Sequence, residues 1–154
     1  MAPPIVLTID IACPPGDVYA YATDPTRFAE WQHDVTSVQV AAGPPPGAGS
    51  RFTTTRRIGS AQRTMTQEIT QASPPGAWAA RGVDGPIRPN VTVTIEPAGD
   101  GTASRATFTF DFAGHGIGEL LVPLVRRMAA KGAPASLQNL KQRLEDGDHG
   151  PAAR

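Results

Sequence analysis

The sequence has few of the residues that build common metal centres and disulfide frameworks. It contains one cysteine, Cys13, which excludes an intrachain disulfide and a cysteine-based metal cluster. Its three histidines, His33, His115 and His149, are scattered, and none belongs to an HxxxH or HExxH pair. We therefore expect a protein that needs neither a metal ion nor another cofactor.

An excess of one charge and long apolar runs are also missing. Fourteen basic residues balance fourteen acidic ones, whereas general binders of nucleic acids or anionic membranes carry a basic excess. The apolar run at residues 120–125 is too short to span a bilayer. The N-terminal apolar segment lacks a preceding Lys or Arg and is interrupted by Thr8 and Asp10, which argues against a signal peptide. We expect a cytoplasmic protein that neither binds nucleic acid nor integrates into a membrane.

The 154 residues correspond to one domain of ordinary size. Sixteen glycines and sixteen prolines interrupt the chain, but 40% of the residues are hydrophobic, which is too many for a disordered sequence. No internal repeat or linker divides the chain. We therefore predict a single domain over residues 1–146 and a flexible tail at residues 147–154.

The first part of the sequence predicts one strand and two short helices. Residues 5–11 alternate between apolar and polar positions, as in a half-buried strand. A short helical pattern follows. Asp24 can then cap a second helix with Pro25 at its first position. Phe28 and Trp31 are three residues apart, so they lie on one side of that helix.

Six further strands are predicted in the middle of the sequence, separated by turns rich in glycine and proline. Their expected ranges are 35–42, 51–58, 63–72, 77–83, 90–96 and 102–112. Alternation in the last two strands places one apolar set on the concave face of the sheet, and the intervening threonines on the other. The concave set is Val91, Val93, Ile95, Phe108, Phe110 and Phe112.

The last third is helical, and its apolar residues form two stripes in succession. At about 100° per residue, the first stripe is Leu120, Leu121, Leu124, Val125 and Met128. The second stripe, on nearly the opposite side, is Leu137, Leu140 and Leu144, and it continues backwards through Ala133, Ala130 and Arg126. The helix either breaks at residues 132–134 or continues with two apolar faces. Pro134 predicts a bend in both cases.

Several local motifs occur in an order that is typical of one protein family. Residues 9–19 (IDIACPPGDVY) combine a strand with the start of a helix, and residues 24–31 carry an Asp-Pro…Trp helix. Residues 47–52 (GAGSRF) contain a Gly-x-x-Phe strand start, and residues 110–116 and 140–145 form the last strand and the helix end. Together these motifs resemble the polyketide cyclase/dehydrase and lipid-transport group of the START-like (SRPBCC) superfamily, over nearly the whole chain.

The resemblance implies an α+β helix-grip fold. In this fold a curved antiparallel sheet of six to seven strands surrounds one long C-terminal helix, and two short helices follow the first strand. The resemblance also implies a cavity between sheet and helix, usually for a small hydrophobic or amphipathic molecule. Members of the superfamily share no constant catalytic set, so no catalytic residue can be assigned.

Nine residues are candidates for contact with a ligand in such a cavity. If Phe52 points inward, parity turns Arg56 inward too, and its guanidinium could anchor a carboxylate or enolate oxygen. The alternative is that Arg56 pairs with an acid such as Asp84 or extends into solvent. The other eight candidates are Trp31, Phe52, Met65, Gln67, Trp78, Phe108, Phe110 and Met128.

Three of the polar and aromatic residues also have structural interpretations. Trp31 can pin the second helix onto the sheet instead of lining a cavity. His115 could transfer protons near neutral pH, but its place after the last strand favours a structural role in a turn. His33 could approach the mouth of the cavity, but it ranks below His115 as a candidate for proton transfer.

Three hypotheses of function follow from these observations. The first is a protein that binds a small hydrophobic or amphipathic ligand, and the second is an enzyme of the polyketide cyclase, aromatase or dehydratase type. The third is a partner-binding module that uses the stripe of Leu121, Leu124, Val125 and Met128. The form of the cavity distinguishes them. We expect a monomer or a homodimer.

Overall fold

The computed structural model describes residues 3–40 and 47–147, except for the side chain of Ile58. The elements in these ranges are β1 (Ile5–Ile11), α1 (Pro15–Ala22), a 3-10 helix (Pro25–Arg27), α2 (Phe28–Trp31), β2 (Val35–Val40), β3 (Arg51–Ile58), β4 (Ala61–Ser73), β5 (Ala77–Gly82), β6 (Ile87–Ala98), β7 (Ala103–Gly114) and α3 (Gly118–Glu145). Residues 41–42 of the second predicted strand and residues 148–154 of the predicted tail lie outside the described ranges.

The strands form one antiparallel sheet in the order β1-β7-β6-β5-β4-β3-β2. Consecutive strands from β2 to β7 pair with each other, and β1 pairs with the free side of β7, where Ile5 lies opposite Phe110. Helix α3 packs on β7, β1 and β6. This curved sheet around a long C-terminal helix confirms the predicted α+β helix-grip fold.

The segment before α2 begins as its capping residues predict. Asp24 accepts a hydrogen bond from the backbone N–H of Thr26 at 3.0 Å, and Pro25 is the first residue of the 3-10 helix. The 3-10 helix continues directly into α2. It thereby brings Phe28 and Trp31 onto the sheet, where both are buried.

Strand β6 is longer at both ends than its alternation predicts. It includes Pro89 and Pro97, which we expected to lie outside the strand. The paired register with β5 covers only Asn90 to Thr94 of β6, so neither proline occupies a paired position opposite that strand. A missing N–H there removes no hydrogen bond to β5, which is why the strand tolerates proline at these positions.

Helix α3 is continuous, with Pro123 and Pro134 inside it. Of the two alternatives, the one with two successive apolar faces is therefore confirmed, and the bend near Pro134 stays a prediction. The three leucines of the second stripe, Leu137, Leu140 and Leu144, are buried in the core. Within the described residues, no helix is both long and apolar enough to cross a membrane.

The buried stripe of α3 predicts a clear difference between two leucine substitutions. Leu140 is 0% exposed, so Leu140→Ala should lower the free energy of unfolding by about 2–5 kcal/mol, the usual range for a core leucine. Leu120 is 81% exposed, and Leu120→Ala should change it by less than about 0.5 kcal/mol. Urea unfolding of both variants measures this. Equal losses would mean that the buried face of α3 is assigned wrongly.

Candidate ligand-binding site

A cavity of about 230 Å³ lies between the sheet and α3. Its walls come from α2, from strands β3 to β7 and from the middle of α3. The sequence has only five phenylalanines and two tryptophans, and all seven line this cavity. They are Phe28, Trp31, Phe52, Trp78, Phe108, Phe110 and Phe112.

The cavity exists because the middle of α3 carries small side chains. Ala129, Gly132 and Ala133 face the sheet there and fill little of the space beneath the helix. Ala130, which the second stripe places on the same side of α3 as Ala133, is instead exposed and does not border this space. The cavity-facing stripe continues from Ala133 back to Ala129, a step of four residues. The predicted stripe continued from Ala133 to Ala130, a step of three.

Edge-to-face contacts hold the aromatic wall in place, with Phe28 at their centre. Its ring meets Trp31, Phe52 and Trp78 at centroid distances of 6.1, 5.7 and 6.2 Å, with interplanar angles close to perpendicular. Such pairs contribute about 0.5–1.5 kcal/mol each beyond their buried area. The large rings therefore support one another at the wall and need not rotate into the cavity.

All nine candidate residues from the sequence line the cavity: Trp31, Phe52, Arg56, Met65, Gln67, Trp78, Phe108, Phe110 and Met128. Trp31 both lines the cavity and pins α2 onto the sheet, since its ring packs edge-on against Phe108 of β7 at a centroid distance of 6.1 Å. The inward alternation of β3 is as expected, because Phe52 and Thr54 are buried. Whether these nine residues contact a ligand stays a prediction.

The acid beside Arg56 is Asp34 and not Asp84. Nη1 of Arg56 donates to both carboxylate oxygens of Asp34 at 3.2 Å. Asp84 instead accepts a hydrogen bond from the backbone N–H of Thr66 at 3.0 Å. Asp34 directly precedes β2, and the first residue of β2, Val35, lies opposite Arg56 on β3. Arg56 therefore pairs with an acid while it also lines the cavity. The two alternatives for this residue are therefore compatible.

His33 lies closer to the cavity than the sequence indicates. Its Nδ1 is 3.1 Å from the hydroxyl oxygen of Ser136 on α3, and both residues line the cavity. A side chain at Gly132 would crowd the imidazole, since its Cβ would stand 3.1 Å from Cε1. His115, the better-ranked histidine, is exposed and takes part in a turn, where its backbone N–H donates to Pro86 at 2.8 Å.

A second polar group lies in the interior wall. Gln67 on β4 is 4% exposed, and its Oε1 accepts a hydrogen bond from Thr54 at 3.4 Å. Among the described residues, Thr54 is its one side-chain partner, so the amide nitrogen of Gln67 can still donate. The buried Nε1 of Trp31 likewise has no hydrogen-bond acceptor within the described part of the chain.

The lining residues outside the nine candidates include Phe28, Asp34 and Ser136. Ser136 could have been found, because it lies three residues after Ala133 on the cavity-facing stripe of the helix. Phe28 shares a helix face with Trp31 and carries the same signal. Asp34 directly precedes β2, and the pairing of β2 with β3 decides which β3 residue lies beside it. No local sequence pattern predicts that this residue is Arg56.

The stripe proposed for partner binding is divided between two environments. Val125 and Met128 line the cavity, whereas Leu124 is 50% exposed and Leu121 is half-buried. Leu121, Leu124 and Val125 also border a smaller space of about 140 Å³. The four residues therefore do not form one exposed apolar surface.

Across the described ranges, no cluster of His, Cys, Asp or Glu could hold a metal ion.

Helix α2 is fixed by a polar network around Glu30. Its carboxylate accepts hydrogen bonds from Arg27 at 3.2 Å and from the hydroxyl of Tyr21 at 3.0 Å, and Arg143 of α3 lies 3.8 Å away. Burial, and then the hydrogen bond to Glu30, raises the pKa of Tyr21 to about 12. This network holds the helix that supplies Phe28 and Trp31 to the cavity wall.

Residues 4–145 match the model of a family described as polyketide cyclase/dehydrase and lipid transport. Among curated proteins, none matches the chain significantly. Solved structures do match, and several of them are similar to this chain over nearly their full lengths. The Thermus thermophilus protein TTHA0849 is 21% identical with a TM-score of 0.75, and the match covers 92% of this chain and 97% of that one.

Two further solved structures have the same architecture. The Zhui aromatase/cyclase from a Streptomyces species is 14% identical with a TM-score of 0.77, over 92% of this chain and 93% of that one. A START superfamily protein from Mycobacterium smegmatis is 13% identical with a TM-score of 0.75, over 94% and 99%. At these identities the likeness shows the fold and nothing more.

The burial of Tyr21, together with its hydrogen bond to Glu30, predicts a loss of stability in alkali. The folded-state pKa of Tyr21, about 12, is above the value near 10 of an unfolded tyrosine. The stabilisation is therefore complete below about pH 10 and is lost as the pH rises towards 12. The free energy of unfolding should fall by up to about 2 kcal/mol over this range, and less in Tyr21→Phe. Parallel pH profiles from urea unfolding of both proteins would contradict this.

Proposed function

Because the chain belongs to the polyketide cyclase/dehydrase and lipid-transport family, we propose that it binds a small hydrophobic or amphipathic ligand between the sheet and α3. The observation that carries this proposal is the concentration of all seven Phe and Trp side chains around one cavity of about 230 Å³. Ligand sites are typically concave and mostly apolar, with a few polar groups that orient the ligand.

The size of the cavity supports occupation by a ligand. Mutational cavities destabilise proteins by about 24 cal/mol per Å³, so a dry void of this volume would cost about 5 kcal/mol. Whole domains are stable by only about 5–15 kcal/mol. A leucine at position 133 could fill much of the space, yet the sequence has alanine there. A costly void that a single substitution would reduce favours a binding role.

A cyclase, aromatase or dehydratase is the second candidate, and the polar groups at the mouth favour it. Arg56 lines the cavity close to Asp34, and the neighbouring His33 contacts Ser136. In an aldol cyclisation, Arg56 would stabilise the enolate oxygen and His33 would carry a proton. One structural neighbour, Zhui, is named an aromatase/cyclase. Conversion of an added linear polyketone to a cyclic isomer, or to a product lighter by one water molecule where dehydration follows, distinguishes this enzyme from a binding protein.

The binding proposal is tested by filling the cavity. N-phenylnaphthylamine, a neutral apolar fluorescent probe, should bind the wild type with a Kd of micromolar order, a range that modest contacts can supply. Ala133→Leu places a larger side chain in the cavity and should weaken the probe at least about tenfold. Trp31 and Trp78 line the cavity, so their fluorescence should change on binding in the wild type.

Ala130→Leu is the matched control, because it adds the same atoms one helical turn away on the exposed side of α3. It should leave the affinity for the probe unchanged. Circular dichroism checks that both variants fold. If the probe fails to bind the wild type, or binds both folded variants equally, the cavity is not a ligand site.

A further inference from the structure

The polar groups of the cavity lie in two separate places. One group, which we call the mouth cluster, consists of His33, Asp34, Arg56 and Ser136. The other is the interior amide of Gln67, which is hydrogen-bonded to Thr54. Most of the remaining wall consists of aromatic and aliphatic residues. A ligand that satisfies both places must carry polar atoms at two ends and apolar surface between them.

The strand register gives the distance between the two places. Gln67 lies opposite Phe52 on β3, and Arg56 lies four residues further along the same strand. Four residues span roughly 13 Å between Cα atoms. Both residues line the same cavity, and a hydrogen bond of about 2.9 Å at each end leaves roughly 7 Å between the two polar ends of a ligand. What remains corresponds to a rigid ligand of one or two rings.

The mouth cluster favours an anion. Only Nη1 of Arg56 is engaged by Asp34, so within the described residues its Nε and Nη2 have no acceptor. A planar carboxylate could accept two parallel hydrogen bonds from the free edge of Arg56.

The interior place favours a neutral oxygen. The amide nitrogen of Gln67 is a donor without charge, in a wall whose other members are mainly apolar. A carbonyl or hydroxyl oxygen can accept its hydrogen bond, whereas a buried anion there would lack a counter-ion. The two ends of the ligand should therefore differ in charge.

The walls and the volume define what lies between the ends. A dry cavity of about 150 Å³ accepts benzene, so the larger cavity of about 230 Å³ corresponds to one or two fused rings. Flat aromatic rings can stack on or meet edge-on the phenylalanine and tryptophan rings of the wall. Phe108 and Phe110, whose rings are nearly parallel at 6.3 Å, present such a surface.

We propose that the ligand is a planar aromatic acid of one or two fused rings. Its carboxylate binds to Arg56 at the mouth, and a neutral hydroxyl or carbonyl oxygen at its other end accepts a hydrogen bond from Gln67. This assignment rests on the proposed ligand-binding function and adds the chemical class and the orientation of the ligand.

Isothermal titration with four probes tests the assignment. The first probe, called hydroxynaphthoate below, is a naphthoic acid with a hydroxyl group at the far end of its second ring. The others are its methyl ester, naphthoate without the hydroxyl, and decanoate, a flexible carboxylate of similar size. Wild-type protein should bind hydroxynaphthoate most tightly, at least about tenfold more tightly than the ester, since a hydrogen bond to a charged group is lost.

Three substitutions locate the two ends of the probe. Arg56→Met should weaken hydroxynaphthoate at least about tenfold and leave the ester within about twofold. Asp34→Asn removes the competing carboxylate and should tighten hydroxynaphthoate, an effect of opposite sign. Gln67→Met should abolish the advantage of hydroxynaphthoate over naphthoate. Arg81→Met is the control for Arg56→Met, because Arg81 is an exposed strand arginine that contacts Glu68 at 4.0 Å outside the cavity.

Each outcome decides a different point. Equal binding of acid and ester, unchanged by Arg56→Met, would overturn the assignment while leaving the binding function intact. Tighter binding of decanoate than of hydroxynaphthoate would overturn the aromatic class. Failure of all four probes and of N-phenylnaphthylamine would overturn the binding function itself. If Gln67→Met does not fold, equal affinities of hydroxynaphthoate and naphthoate for the wild type would contradict the role of Gln67.

Discussion

The packing of the C-terminal half of α3 against the sheet is the constraint on which the cavity depends. Leu137, Leu140 and Leu144 are buried there, and polar contacts hold the same end of the helix against the segment after β1. Lys141 donates to the carbonyl of Asp10 at 2.7 Å, and the backbone N–H of Ala12 donates to Glu145 at 2.8 Å. The helix axis is thereby fixed at one end.

The other end of α3 is fixed by a close backbone approach. Gly118 lies so near Pro86 that a Cβ would stand 1.9 Å from its carbonyl oxygen. With both ends held, the middle of the helix can neither sink into the sheet nor move away from it. The small residues Ala129, Gly132 and Ala133 then leave a space that the mutually supporting aromatic rings surround without filling. The cavity is thus a consequence of where the large and small side chains lie along one helix.

The sequence predicted the wall of the cavity well because parity in a strand is a strong constraint. Once Phe52 and Phe108 are placed inward, alternation determines Arg56 and Phe110, and all nine candidates do line the cavity. The errors occur where periodicity does not apply. A register shift between Val35 and Ser37 interrupts the alternation of β2, and the local sequence pattern does not predict this shift. Asp34 was missed for the same reason, since its position depends on that register.

Helical positions were harder to assign than strand positions. A step of three residues along a helix and a step of four lead to side-chain directions that differ by about 100°. This difference separates exposed Ala130 from Ala129 in the cavity wall. The placement of His33 required tertiary contact as well, because its partner Ser136 is 103 residues away in the sequence. No spacing rule connects two such residues.

Native mass spectrometry of the protein purified from its own host tests the central claim most directly. If a ligand occupies the cavity, the spectrum should contain a complex of one chain with one small molecule, which dissociates on collisional activation and has the mass of a compound of one or two rings. A spectrum that contains only the mass of the free chain, under conditions that preserve non-covalent complexes, would contradict the claim that this cavity is occupied in the cell.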